Sequence, residues 1–249
     1  MKTHALTRSP RVWTVLLAAL MLAWSAVPAV QAQVAPSRTY TPGAFDEVEI
    51  HGSALVRLIQ GAVDQVVVEG DEDLQGEVRL DVRDGRLNVR QSGSWKFWST
   101  RRLRLSVTLR DLKRLSISGA ADVLAPQPMK LGKVLIDVSG SGLVRFDKLQ
   151  AQELRFSVFG AGDGQFAGAV EQLAVTVAGK SDFRGEDLRT QVGRIAVSGL
   201  GDIRVWAERE LAIGISGVGR VDYWGSPELT RRTPGLATIS ARGAKAAAP

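Results

Sequence analysis

The sequence predicts an all-β solenoid, a rod of short stacked coils, and three observations carry that prediction. A glycine-centred phrase recurs six times at spacings of 18 to 21 residues, apolar residues keep even-numbered offsets around each glycine, and no stretch after Tyr40 has the periodicity of an amphipathic helix. The phrase reads SISGAADVLA from Ser116, DVSGSGLVRF from Asp137, SVFGAGDGQF from Ser157, TVAGKSDFRG from Thr176, AVSGLGDIRV from Ala196 and GISGVGRVDY from Gly214. Its first glycines are Gly119, Gly140, Gly160, Gly179, Gly199 and Gly217. A single phosphate-cradling loop would have no period. This one does.

The offsets say what each copy is for. Two residues before the glycine stand Ile117, Val138, Val158, Val177, Val197 and Ile215, and two further back Leu115, Ile136, Phe156, Val175, Ile195 and Ile213. Four residues after it come Val123, Val144, Gly164, Phe183, Ile203 and Val221. Spacing by two is strand periodicity, so each copy is strand, glycine corner, strand, with one apolar face rich in β-branched residues. A coil of about twenty residues cannot bury that face alone, so coils must stack and share a core, about 4.8 Å apart. The corner glycines and the small residues two positions on then suit positive φ or close backbone approach.

Along the chain the pattern is uneven. Residues 1–32, with Lys2, Arg8 and Arg11 before an apolar run from Val12 to Ala26 and the AVQA stretch, read as an export signal peptide. Residues 33–43 have linker composition, and residues 44–243 form one domain. The domain opens with the copy VEIHGSALVRL around Gly52, followed by a weaker echo centred on Gly70. VRLDVRDGRLNVRQ alternates about Asp84-Gly85 and predicts a two-residue hairpin that protrudes from the rod or caps one end. After Gly225 the pattern decays through a last copy, ATISARG, to a frayed tail over 244–249.

Composition narrows function. No cysteine is present, so there is neither a disulfide framework nor a lipid-attached cysteine. After residue 32 the chain carries 29 basic and 26 acidic residues, and four of the basic ones fall in the last nineteen positions, where there is no acid. The body is close to neutral, which argues against nucleic acid as a partner. No apolar run in the mature chain predicts a membrane span. With His51 as the one mature histidine, the composition points away from a histidine-based triad, a multi-histidine metal site or a cysteine nucleophile, and His51 reads as a strand-end residue.

With the repeat established, the sequence resembles the bacterial family described as the "putative auto-transporter adhesin, head GIN domain". The resemblance rests on FDEVEIHGSALVRLIQG (Phe45 to Gly61), VVVEGDEDL (Val66 to Leu74), the DGRLNV turn and the serial SG-x-G-D phrases through Tyr223. It implies a right-handed parallel β-helix on an exported or envelope protein with an adhesin-like role, and it brings no catalytic residues. Phe159, Ala178 and Lys180 depart from the family's usual serine or glycine at those corners.

Three places stand out as candidate sites. Asp163, Asp182 and Asp202 fall at one offset on consecutive coils, with Asp122 at the same offset earlier. Stacked carboxylates repel, which Ca²⁺ would relieve, but Arg184 and Arg204 two residues on can neutralise them, so turn and ion-pair chemistry is the favoured reading and no cofactor is expected. Trp95, Phe97 and Trp98 beside Arg101 and Arg102 form an aromatic and cationic loop that either plugs the rod's end or contacts a ligand. Trp206 and Trp224, both seven residues past their glycines, predict an outward stack that serves as a sugar platform or a simple ladder. The expected function is a non-enzymatic, adhesin-like module for binding or structural support, exported to the periplasm or cell envelope or secreted, with an envelope glycan or another cell-surface protein as its partner and oligomers forming by end or edge contact. The alternative is a polysaccharide-active β-helix enzyme, which needs paired acids in a walled groove.

Overall fold

The structure, a computed structural model, describes residues 37–70, 75–76, 78–91 and 103–245. Seventeen strands form among them: β1 (Ser37–Tyr40), β2 (Glu47–His51), β3 (Ser53–Gln60), β4 (Gln65–Glu69), β5 (Val78–Arg83), β6 (Arg86–Gln91), β7 (Leu103–Leu109), β8 (Arg114–Ile117) and β9 (Ala120–Ala125) come first. The longer β10 (Met129–Val138), β11 (Ser141–Val158), β12 (Ala161–Val177), β13 (Lys180–Val197) and β14 (Leu200–Ile215) follow, then β15 (Val218–Trp224), β16 (Glu228–Arg232) and β17 (Leu236–Ala241). The fold is a parallel β-helix of about six turns.

The inward columns form in the register that the offsets predict. Ile117, Val138, Val158, Val177, Val197 and Ile215 pair in sequence from coil to coil, and none exceeds 2% exposure. Val123, Val144, Gly164, Phe183, Ile203 and Val221 form the matching column beyond the corner. Gly164 looks like a gap but is filled. A Cβ there would lie 2.9 Å from the Phe166 ring and 3.0 Å from that of Phe156. These rings, with Phe146 and Phe183, pack at centroid distances of 5.5–5.6 Å. On the next coil Phe183 and Gly185 exchange the large and small positions, so total volume is conserved along the core.

The corner glycines are required by close approach. A Cβ on Gly119 would sit 2.1 Å from the carbonyl oxygen of Gly52, and the same collision recurs at 1.9–2.2 Å up the column to Gly235 over Gly217. Each glycine carbonyl accepts the N–H of the residue after the next glycine, as from Ala120 to Gly52 (2.8 Å) and from Leu236 to Gly217 (2.9 Å). Gly235 therefore starts the last coil.

Coil length varies only on the side remote from this corner. Between the last inward residue after one glycine and the first before the next, the chain takes nine steps from Ala125 to Val134, eight from Phe146 to Leu154, seven from Phe166 to Leu173, eight from Gly185 to Gly193 and six from Val205 to Leu211. The register shifts between β11 and β12, β12 and β13, and β13 and β14 fall on this third side. The glycine corner is a fixed gauge, and the far side absorbs the difference as bulges.

The N-terminal end departs from the parallel pattern. The coil β2–β3 lies against β8–β9 on one side and β6–β7 on the other. Beyond β6 and β7 the pairing turns antiparallel, with β5 on β6, β4 on β7 and β1 on β4. The predicted hairpin is present, with positive φ at Asp84 (51°) and Gly85 (74°), as a type I′ turn demands. One of its strands is a rung of the rod, and the other caps it. Residues 37–40, read from composition as linker, instead form β1, with Tyr40 packed on the core. The echo at Gly70 is no coil, because β4 before it runs antiparallel. Residues 1–32, read as a signal peptide, lie outside the described residues.

Candidate functional site

Beyond the corner the odd-numbered offsets point outward, and this face carries the aspartate column. Asp182 pairs in register with Asp202, and Asp202 with Arg220. The carboxylates bridge coils: Asp163 Oδ1 accepts the Asp182 N–H (2.9 Å), and Asp122 Oδ1 accepts that of Leu143 (3.0 Å). Arg184 donates to Asp182 Oδ2 through Nη2 (2.8 Å) and Nε (3.1 Å), which raises the guanidinium pKa above its usual value. Arg204 reaches Asp182 at 3.5 Å and Asp202 at 3.7 Å. Among the described residues no three His, Cys, Asp or Glu side chains gather as a metal-ligand group. Asp163, Asp182 and Asp202 line a shallow, open depression of about 710 Å³ together with Leu200, Val218 and Leu236. The three apolar residues leave 53%, 48% and 74% of their surface exposed and stack on successive coils.

Trp206 and Trp224 pair in register as expected, but they form no outward platform. Trp206 is 5% exposed. It sits where β14 turns onto the third side, between buried Val205 and Ala207, so strict alternation fails there. Lys245 covers both rings, its Nζ 5.8 Å from the Trp206 centroid and 5.5 Å from that of Trp224. The same ammonium donates to the Glu186 carbonyl oxygen (2.5 Å) and to Asp187 Oδ1 (2.6 Å). Glu186 and Asp187 are available because β13 takes two more steps than β14 on the third side and bulges. The sequence placed Lys245 in a frayed tail and missed this contact. The one signal was its position among four basic residues with no acid near them.

His51 Nδ1 lies 2.7 Å from Ser118 Oγ, and its Nε2 3.1 Å from Glu49 Oε1. Composition pointed away from a histidine triad, yet a serine, a histidine and a carboxylate do stand in line. The backbone amides on either side of Gly119 are already engaged. The amides of Ser118 and Ala120 donate to Ile50 (3.0 Å) and Gly52 (2.8 Å) of the neighbouring coil, so they are not free to hold an oxyanion. Ser118 Oγ also meets the Ile50 carbonyl at 3.3 Å, the contact that Ser139 makes with Ile117 (3.3 Å) and Ser198 with Val177 (3.5 Å). His51 thus adds a rung to a serine corner. Trp95, Phe97, Trp98, Arg101 and Arg102 lie outside the described residues.

A second hollow, of about 470 Å³, was not anticipated. It is lined by Leu55, Leu124 and Pro126, by Arg57, Arg104 and Arg145, and by Glu69 and Asp147. The family model described as "Putative auto-transporter adhesin, head GIN domain" matches residues 44–227. The chain belongs to this family. Among solved structures, a "putative adhesin" from Bacteroides fragilis is 21% identical with a TM-score of 0.77, over 84% of this chain and 98% of that one. A "putative lipid binding protein" from Parabacteroides distasonis is 18% identical with a TM-score of 0.62, over 84% and 97%. A "putative adhesin" from Parabacteroides merdae is 16% identical with a TM-score of 0.59, again over 84% and 97%. At these identities the likeness is one of fold. No curated protein matches the chain. In this head GIN domain, then, the outward face has two characters: Asp–Arg pairs toward the C-terminal coils, and arginines around leucines toward the N-terminal ones.

Proposed function

We propose that this head GIN domain is a non-enzymatic, exported, adhesin-like module that works at the cell envelope and holds an envelope glycan or another cell-surface protein against its outward strands. The observation that carries the reading is the state of the outward acids. Asp122 and Asp163 accept backbone N–H groups of neighbouring coils, and Asp182 is paired with Arg184. Acid–base catalysis on a polysaccharide calls for two carboxylates facing each other across a substrate groove, whereas here they lie along one shallow face. A rigid face of parallel strands with repeated donors and acceptors suits multivalent contact with a repeating polymer. The test is cell fractionation of the full chain, together with a glycan array and intact-cell binding using the purified chain from residue 33. Export and saturable binding without product release support the proposal. Retention in the cytoplasm, or turnover of a polysaccharide, overturns it.

A further inference from the structure

The smaller hollow has a composition that the repeat itself explains. On the C-terminal coils an aspartate three residues past the glycine serves the arginine two residues beyond it, as Asp182 serves Arg184. On the coil of Gly52 those positions hold Leu55 and Arg57, and on the coil of Gly140 they hold Leu143 and Arg145. Arg145 recovers a partner further on, its Nε lying 2.6 Å from Asp147 Oδ1. Arg57 has no such recourse, since the equivalent residue is Ile59. Arg104, opposite Leu55 on β7, faces Glu69 across the strands, but Glu69 Oε1 accepts instead from Ser106 Oγ at 3.3 Å. Among the described residues neither Arg57 nor Arg104 forms an ion pair. Arg57 and Arg104 hold diagonal positions on one outward face, since Arg104 is paired with Leu55 and Ser106 with Arg57. Leu124, paired with Arg57 on the opposite side, adds apolar lining to that of Leu55 and Pro126.

We infer that this hollow is a binding site for an organic carboxylate with an apolar body, the acyl carboxylates being its simplest members. Guanidinium groups bind carboxylates through paired N–H donors, and an unpaired one gains a counter-charge without breaking an existing bridge. The leucine and proline lining gives the tail a surface to leave water for, which an inorganic anion cannot exploit. The volume of about 470 Å³ is in the range of small-molecule sites. The hollow lies toward the N-terminal coils from Asp163, Asp182 and Asp202, and shares with the aspartate column only the strand that carries Asp122.

Isothermal titration of the purified chain with monomeric octanoate tests it, with acetate and octyltrimethylammonium as comparators. Octanoate is expected to bind at one site, about tenfold or more tighter than either comparator. Arg57→Gln with Arg104→Gln is expected to weaken it about tenfold or more, and Leu124→Asn to weaken it as well. Arg184→Gln, on the same face but remote, should leave it unchanged. Both replaced arginines are exposed, so circular dichroism of the double variant should match the parent. No octanoate binding, equal binding of a comparator, or undiminished binding by the double variant would each overturn the inference.

Discussion

The two ends of this solenoid solve one problem by different means. A parallel stack exposes a row of unpaired N–H and C=O groups at each end, which invites further strands. The N-terminal end reverses strand direction: β5, β4 and β1 pair antiparallel, and Tyr40, Val78, Leu80 and Val82 pack on the core. The turn before β4 is pinned by Asp64, whose side chain is 4% exposed and accepts from the Arg110 backbone N–H (3.0 Å), Nε (3.0 Å) and Nη2 (2.6 Å). At the C-terminal end β16 pairs only with β14, and β17 only with β15, among the described residues. What holds that end is chain folded back on itself: Arg242 on Asp222, Lys245 on the tryptophans, and the Gly225 N–H on the Gly243 carbonyl (3.0 Å). Arg231 and Arg232 leave the open edge charged. Among the described residues β1 and β5 also pair on one side only, so each end keeps an outer edge; the first is capped by antiparallel strands packed on the core and the second is latched by charge, and the first should be the more stable.

The largest effect should erase the distinction. Val197 lies in the central inward column, and Val197→Asp buries an unpaired carboxylate at a cost of several kcal/mol. Both ends should then melt together in one early transition, while Arg204→Ala on the outward face changes stability by about 0–1 kcal/mol. Equal melting curves for the two variants would reverse the inward and outward assignment. Next comes the N-terminal lock. Asp64→Ala leaves the Arg110 amide without its acceptor and should cost about 1–3 kcal/mol, or roughly 2–4 °C in Tm for each kcal/mol. Amide exchange should quicken in β4 and stay unchanged in β17. Uniform quickening along the rod would show that the cap is not a separate unit.

Acid sharpens the comparison further. The hydrogen bond from Arg242, followed by the charges of Arg242, Arg220 and Arg204, holds the Asp222 carboxyl below its ordinary value against the opposing effect of burial. At Asp64 burial pushes the carboxyl up, but the bonds and charge of Arg110 outweigh it and the net shift is again downward. A carboxyl depressed in the fold stabilises it fully above the unfolded value of about 3.9, and that contribution fades as pH falls through the folded value. Both locks should therefore loosen below about pH 4. The C-terminal one, backed by an open edge, should yield first to protease at Arg231, Arg232 or Arg242. Asp222→Asn should make that cleavage fast already at pH 7 and nearly independent of pH. Unchanged resistance in this variant would remove Asp222 from the account.

Which parts of this were legible in the sequence follows from what each residue can encode. Inward and outward positions beside the glycine corner were readable because hydrophobic alternation is local, and the glycine column repeats the same collision on every coil. The third side was opaque because its length changes from nine steps to six, and bulges break the alternation. Trp206 was misread for that reason: an odd offset means outward only while the strand stays straight, and β14 turns at Val205. β1 was hidden by its polar, proline-flanked composition, since a capping strand needs only one apolar contact, here Tyr40. Arg57 and Arg104 were hidden differently. Their freedom is visible only when each coil is compared with its neighbours and with β4, a pairing that the sequence did not reveal.

The smallest expected effect isolates the C-terminal latch. Lys245→Ala removes a side chain that is 26% exposed and whose ammonium meets two indole rings, a carbonyl and a carboxylate. Cation–π contacts at such partly exposed sites contribute about 0.5–1 kcal/mol, too little to move the melting temperature of the whole rod by more than a few degrees. The local consequence should be plainer. The Gly225 N–H is bonded to the Gly243 carbonyl, two residues from Lys245, so release of the tail should speed exchange at Gly225 several-fold while amides of β11 and β12 keep their protection. Lys245→Arg should restore most of the protection, because a guanidinium also stacks on indole and can reach the Asp187 carboxylate. If Gly225 exchanges at the parental rate in Lys245→Ala, the tail is held by Arg242 alone, and the two ends differ only in strand direction.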